Sequence, residues 1–144
     1  MAAIDLKSIS VLVIEDEAFM RNIILRFLQE IGVGNVYSAA DGRKGLQILM
    51  EEGAKIDIIL LDLHMPQIEG QDVLKYIRFS KDVADPNIPV LVITGESEEA
   101  MVKTVAALNV SGYLVKPVSK KDMTLRLVRA LTLAKKSADP KSAS

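Results

Sequence analysis

An α/β fold, a doubly wound parallel sheet with helices on both faces, is predicted by three observations. Short apolar runs alternate with longer helical patterns through five strand-then-helix units in 144 residues. Two of the runs, Ile56-Asp57-Ile58-Ile59-Leu60-Leu61 and Val90-Leu91-Val92-Ile93, are nearly continuous, as in strands buried on both faces rather than one. Acids, a hydroxyl and an amine stand where four runs end: Glu15-Asp16, Asp62, Thr94-Gly95 and Lys116-Pro117. Parallel strands need right-handed crossovers, and the intervening helices supply them.

The elements follow in order. A strand over residues 10–14 leads to a helix over 18–31, in which Met20, Ile24, Phe27 and Ile31 recur at helical spacing. Gly32-Val33-Gly34 then reads as a helix C-cap turn; it follows a helix, not a strand, and lacks the third glycine of a dinucleotide loop. A strand over 36–40 precedes a helix over 43–50, and one over 56–63 precedes a helix over 71–79. The runs at 90–94 and 110–115 each lead to a further helix. Ser119, with Asp122 three residues on, resembles a capping box opening the last one, whose Met123, Leu127, Leu131 and Ala134 form an apolar stripe. From Ser137 onward the chain lacks apolar anchors and is expected to fray. The expected organisation is an N-terminal extension over 1–8, one domain over 9–135 and a flexible polar tail over 136–144.

Bulk properties narrow the function. A chain of this length, 49% hydrophobic, suits one domain able to bury roughly 70% of its unfolded surface. With 18 basic and 19 acidic residues and a net charge of −1, no overall field draws it to nucleic acid or an anionic membrane. The absence of cysteine excludes disulfides, thiolate metal sites and a cysteine nucleophile. No apolar run approaches the about 18 residues of a membrane span, and the N-terminus has no signal-peptide pattern, so a cytoplasmic protein is expected.

The strand-end residues carry the chemistry. Open α/β sheets gather the carboxyl ends of their strands along one crevice. Glu15, Asp16 and Asp62 would repel one another there without a cation, and an all-oxygen site suits Mg²⁺, which keeps waters and phosphate oxygens in its shell. With that charge offset, Asp62 could attack phosphorus as a carboxylate nucleophile, while Lys116 and Thr94 contact the phosphoryl oxygens. Taken singly, each residue also has a plainer reading: a helix N-cap or first-turn acid at Glu15-Asp16, a loop at Met65-Pro66, an ordinary strand exit at Thr94-Gly95, a surface lysine at Lys116.

Together, their order and spacing resemble the receiver domain of two-component response regulators. The resemblance runs from about Ser10 to Ala134. It rests on Val11-Leu12-Val13-Ile14-Glu15-Asp16-Glu17, on Ile58-Ile59-Leu60-Leu61-Asp62-Leu63-His64-Met65-Pro66 with Gly70, on Val90-Leu91-Val92-Ile93-Thr94-Gly95, and on Gly112-Tyr113-Leu114-Val115-Lys116-Pro117. It implies a flavodoxin-like five-stranded sheet of order 2-1-3-4-5 with five helices. It further implies that Asp62 is the phosphoacceptor and Asp16 a direct Mg²⁺ ligand. Glu15 stands where many receivers have Asp, so its contact with the ion is left open between direct and water-mediated. By the same resemblance His64 lends its backbone carbonyl to the metal, Lys116 pairs with the phosphoryl group, Thr94 donates to it, and Tyr113 swings between exposed and buried rotamers. The face of the fourth helix, fifth strand and fifth helix then changes shape. His64, Gly95 and Glu96 would rim the pocket, and the side chains of His64 and Glu96 are expected to govern access of water to the aspartyl phosphate.

The expected function is that of a stand-alone receiver, phosphorylated by a histidine kinase or phosphotransfer protein and signalling through an unknown protein target, as a monomer or a phosphorylation-dependent dimer. It would not be an enzyme beyond its own phosphotransfer and dephosphorylation. A receiver excised from a hybrid kinase is the alternative. An Asp-nucleophile phosphatase fits less well, because the second Asp such enzymes carry two residues on is here His64. The basic residues of the last helix, Lys120, Lys121, Arg126 and Arg129, read as a solvated face before a docking site.

Overall fold

The computed structural model describes residues 4–65, 70–95 and 99–138. A short 3-10 turn at Leu6–Ser8 precedes β1 (Ser10–Ile14), α1 (Ala18–Glu30), β2 (Asn35–Ala39), α2 (Gly42–Glu52), β3 (Ile58–Asp62), α3 (Gly70–Phe79), β4 (Val90–Thr94), α4 (Glu99–Ala106), β5 (Gly112–Val115) and α5 (Lys120–Ala138). The five strands form one parallel sheet of order β2-β1-β3-β4-β5. Fold class and strand order are therefore as expected from the sequence.

Period-two alternation along the strands divides the core between the two faces of the sheet. Leu12, Ile14, Ile59, Leu61, Val90 and Val92 pack with Leu49 of α2, Val73, Leu74 and Ile77 of α3 and Val105 of α4. On the other face Val11, Val13, Ile58, Leu60, Leu91 and Ile93 meet Met20, Ile24 and Leu28 of α1 and Met123, Leu127 and Leu131 of α5. β1, β3 and β4 are buried along their whole length, which is why their runs carry almost no polar residue.

Helix ends follow local chemistry. Ser119 Oγ accepts from the Asp122 N–H at 3.0 Å, the N-cap read from the sequence, and Asp41 Oδ1 does the same for Lys44 N at 2.8 Å on α2. At the end of α1, Gly32 takes φ +91°, its N–H bonds Gln29 O, and Val33 N–H bonds Leu28 O. That is a Schellman cap, and the positive φ explains the glycine. Two residues beyond, the amide of Gly34 donates to Leu6 O, and a Cβ at Gly34 would overlap the Lys7 carbonyl.

Several boundaries differ from the reading of the sequence. β3 and β5 begin two residues later than their apolar runs, where pairing with the neighbouring strand begins: Ile58 stands opposite Val11, the second residue of β1, and Gly112 opposite Leu91, the second residue of β4. On α1 the buried stripe is Met20, Ile24 and Leu28, with Phe27 and Ile31 on its flank. Helix α5 runs to Ala138, past Ser137, where fraying was expected. Residues 139–144, with the rest of the expected tail, lie outside the described residues.

Candidate functional site

Sheet register builds the site. Ile14 pairs with Leu61, so the residues that follow them, Glu15 and Asp62, stand level across β1 and β3. Thr94 pairs with Val115, which carries Lys116 to the adjacent strand end, and Lys116 N–H donates to Thr94 O at 2.8 Å. The Lys116–Pro117 peptide is cis. Glu15, Asp62 and Thr94 are the charged and hydroxyl side chains that the sheet buries here, Glu15 and Asp62 with no exposed surface.

The Lys116 ammonium lies 3.1 Å from Glu15 Oε1 and 3.4 Å from Asp62 Oδ2. Asp62 Oδ1 accepts the His64 N–H at 3.0 Å, and Glu15 Oε2 is 3.4 Å from the Glu17 N–H. Asp16, half-buried, completes a group of three carboxylates whose ligand oxygens lie within 4.8 Å of one another. Three carboxylates thus face one ammonium. Burial, followed by the hydrogen bond and charge of Glu15, pushes the Asp62 pKa up to about 9, against the lowering effects of the His64 N–H and of Lys116. Burial alone would lower the pKa of Lys116, yet the charges of Asp62 and Glu15 outweigh it and raise it, so the amine is held as an ammonium.

The set fits a hard divalent cation. Beyond charge and spacing, Glu15 Oε1 is buried and accepts no hydrogen bond; its contact with Lys116 is an ion pair without acceptor alignment. A buried carboxylate oxygen without a hydrogen bond, in a group of three acids, suits an oxygen-seeking ion, and Mg²⁺ is commonly held by one or two carboxylates plus waters and phosphate oxygens.

Of the other residues singled out, Thr94 is 3% exposed and its hydroxyl donates to Gly95 O at 3.2 Å. Tyr113 is half-buried against the core face that includes Val92 and Val105, and burial raises its pKa. The His64 side chain is exposed and Gly95 half-buried at the rim. Glu96 and Pro66 lie outside the described residues.

Two further residues shape the site. A Cβ at Gly70 would overlap Asp62 O and Leu63 Cα, so only glycine lets the start of α3 lie on the end of β3, where Gly70 N–H bonds Leu63 O at 3.0 Å. Arg21 Nη1 donates to Glu15 O at 2.9 Å and Asp16 O at 3.4 Å. Gly70 was visible in the sequence only as part of the resemblance, and Arg21 had no signal separating it from any basic residue in a first helical turn.

The family model of the response regulator receiver domain matches residues 11–128. The chain is 34% identical over 117 residues to chemotaxis protein CheY-3 of Vibrio cholerae, covering 81% of this chain and 87% of that protein. It is 34% identical over 128 residues to the probable transcriptional regulator ycf27 of Porphyridium aerugineum, covering 89% of this chain and 50% of that protein. The crystal structure of a response regulator receiver domain protein from Clostridium thermocellum superposes with a TM-score of 0.80 at 28% identity, over 88% of this chain and 97% of that one. Receiver domains are signalling modules of two-component systems that bind Mg²⁺ at an acidic pocket and interact with a kinase or phosphotransfer protein and with downstream targets. By the match of its sequence, strand order and acidic strand-end cluster, the chain belongs to the response regulator receiver domain family.

Proposed function

We propose that the chain is a single-domain response regulator whose phosphoacceptor is Asp62, charged by a histidine kinase or a histidine phosphotransfer protein. The observation that supports this reading most is the buried Asp62 carboxylate, level with Glu15 and 3.4 Å from the Lys116 ammonium, at the open end of the strands. In the transfer an Asp62 carboxylate oxygen bonds to phosphorus while the N–P bond of the donor phosphohistidine breaks, its electron pair staying on the imidazole nitrogen. Asp16, Asp62 and the His64 backbone carbonyl would hold Mg²⁺, with Glu15 assisting directly or through water; the bound ion supplies positive charge that lets two anions approach.

The protein's own groups do the rest. Lys116 exchanges part of its pairing with Asp62 for a phosphoryl oxygen, and the Thr94 hydroxyl turns from Gly95 O to donate to another. Movement of Thr94 opens space beside β4 that Tyr113 fills, and the face of α4, β5 and α5 is remodelled for a downstream protein. Gly95, His64 and Glu96 rim the entrance. This reading is of a cytoplasmic protein; among the described residues no helix is long and apolar enough to cross a membrane. A receiver that forms part of a longer protein is the second reading, favoured by the match to ycf27, half of whose length the chain spans.

Intact mass after incubation with acetyl phosphate tests the acceptor. A single phosphoryl adduct that requires Mg²⁺, disappears with EDTA and is absent from Asp62→Asn is expected; an adduct that persists in Asp62→Asn overturns the assignment. Tyr113→Ala is expected to be phosphorylated at an unchanged rate, while affinity for the downstream partner no longer differs between the two phosphorylation states. An undiminished difference would assign Tyr113 to packing alone.

A further inference from the structure

We infer that Arg21 is a positioning residue for the metal ligands: its guanidinium fixes the backbone that aims Glu15 and Asp16. The inference rests on the reading of the acidic cluster as a Mg²⁺ site. Only residues 15–17 separate β1 from α1, and the first two, Glu15 and Asp16, are the acids that this link gives to the cluster. Glu15 N–H is tied to Ala39 O of β2 at 3.1 Å, which fixes where the link begins. Its other end is weakly held, because Glu17, the N-cap of α1, makes no capping bond with its side chain, and its N–H reaches Glu15 Oε2 only at 3.4 Å.

Arg21 supplies the missing restraint. One nitrogen, Nη1, donates to two consecutive carbonyls, Glu15 O at 2.9 Å and Asp16 O at 3.4 Å, while its own N–H makes a first-turn bond of α1 to Glu17 O at 2.9 Å. The side chain therefore folds back from the first turn of α1 over the link that precedes it. Carbonyl orientation fixes the peptide planes on either side of Asp16, and with them the direction of both carboxylates. Three carboxylates within 4.8 Å repel, and without a tether the half-buried Asp16 is the one free to turn toward water.

Charge and position predict opposite signs, which makes the idea testable. As a mere cation beside the site, Arg21 would repel Mg²⁺, and its removal would tighten binding a few-fold at most across a screened surface. As a positioning residue its removal weakens binding, and loss of an outer-sphere support typically costs about 10-fold or more in metal affinity.

The experiment is calorimetric titration of Mg²⁺ into the full chain, wild type against Arg21→Met and Arg21→Lys, with urea unfolding in EDTA as the check on folding. Expected are a Kd raised about 10-fold in Arg21→Met and restored to within about threefold of wild type in Arg21→Lys, whose ammonium can still donate to the carbonyls. A Kd in Arg21→Met that is unchanged or lower overturns the inference. Should Arg21→Met not fold, Arg21→Gln, which keeps a donor without charge, replaces Arg21→Lys as the rescue and Arg21→Ala carries the same threshold. Lack of any Mg²⁺-dependent adduct on the wild-type chain would instead fail the phosphoacceptor reading, whereas an adduct together with an unshifted Kd fails only the role of Arg21.

Discussion

Arg78→Met is expected to lower the unfolding free energy by about 3–4 kcal/mol, a large share of the roughly 5–15 kcal/mol that holds a domain together. Arg78 stands on α3 at the end of the sheet away from the acidic cluster. Its Nε donates to Leu108 O at 2.8 Å, Nη1 to Pro86 O and Ile88 O at 2.9 Å each, and Nη2 to Asn109 O at 3.1 Å. One planar fork thereby ties the loop before β4 to the loop before β5, where Asn109 takes φ +59°. Burial lowers its pKa and the nearby Asp85 partly offsets this, but a guanidinium remains a cation. Each charged hydrogen bond contributes about 1.5–3 kcal/mol, and four on one group overlap, so the sum is discounted to the figure given. Methionine keeps the apolar stem while leaving four carbonyls without their donor. Arg78→Lys would recover less than half, since a point charge cannot span the same four acceptors. Urea unfolding measures the change, and a loss below about 1 kcal/mol would show that water takes over the carbonyls. Because Arg78 is remote from Asp62, phosphorylation of the folded fraction is expected to persist.

Arg78 also shows where the sequence stops being legible. The core strands could be read because a strand buried on both faces must be apolar along its run, and the sequence carries that constraint residue by residue. The candidate site could be read for a related reason: Glu15, Asp16, Asp62, Thr94 and Lys116 each lie at or just past the end of a strand, and an open parallel sheet brings strand ends together whatever the loops do. Ser119 and Gly32 were legible because capping depends on local spacing and a local φ. Among the described residues the side chains of Arg21 and Arg78 bond only to backbone carbonyls, and a carbonyl has no residue type, so no partner in the sequence betrays them. Gly34, Gly45 and Gly70 were opaque in another way. Their lack of a side chain is required by Lys7, Ile14 and Asp62, brought close only by the finished fold. Helix α5 reaches Ala138, one residue past the Ser137 at which fraying was expected for want of apolar anchors, because extending a helix already formed costs little.

Replacing Asp62 with asparagine is expected to make the metal-free protein more stable by about 1–2 kcal/mol at neutral pH, the second large effect and one of opposite sign to ordinary core damage. Asp62 has no exposed surface, shares one ammonium with the equally buried Glu15, and has its ionised form disfavoured first by burial and then by Glu15. Asparagine has nearly the same shape. It still offers an oxygen to the His64 N–H, and its amide can donate to Glu15 without the cost of binding the proton that the Asp62 carboxyl, with its raised pKa, must take up to do the same. Lys116 would then serve Glu15 alone. The converse substitution, Lys116→Met, would leave two buried acids without their cation and lower stability. Adding Mg²⁺ should reverse the order of wild type and Asp62→Asn. Binding to the native state alone adds RT ln(1 + [L]/Kd), about 2.7 kcal/mol at hundredfold excess over Kd, and the wild type, with all its carboxylates, gains most of this while the variant gains little. Thermal unfolding in EDTA and in saturating Mg²⁺ reads both halves of the prediction. If Asp62→Asn were less stable than wild type without metal, the acidic cluster would be held by contacts that outweigh its repulsion. Its charge would then serve the fold as well as the chemistry.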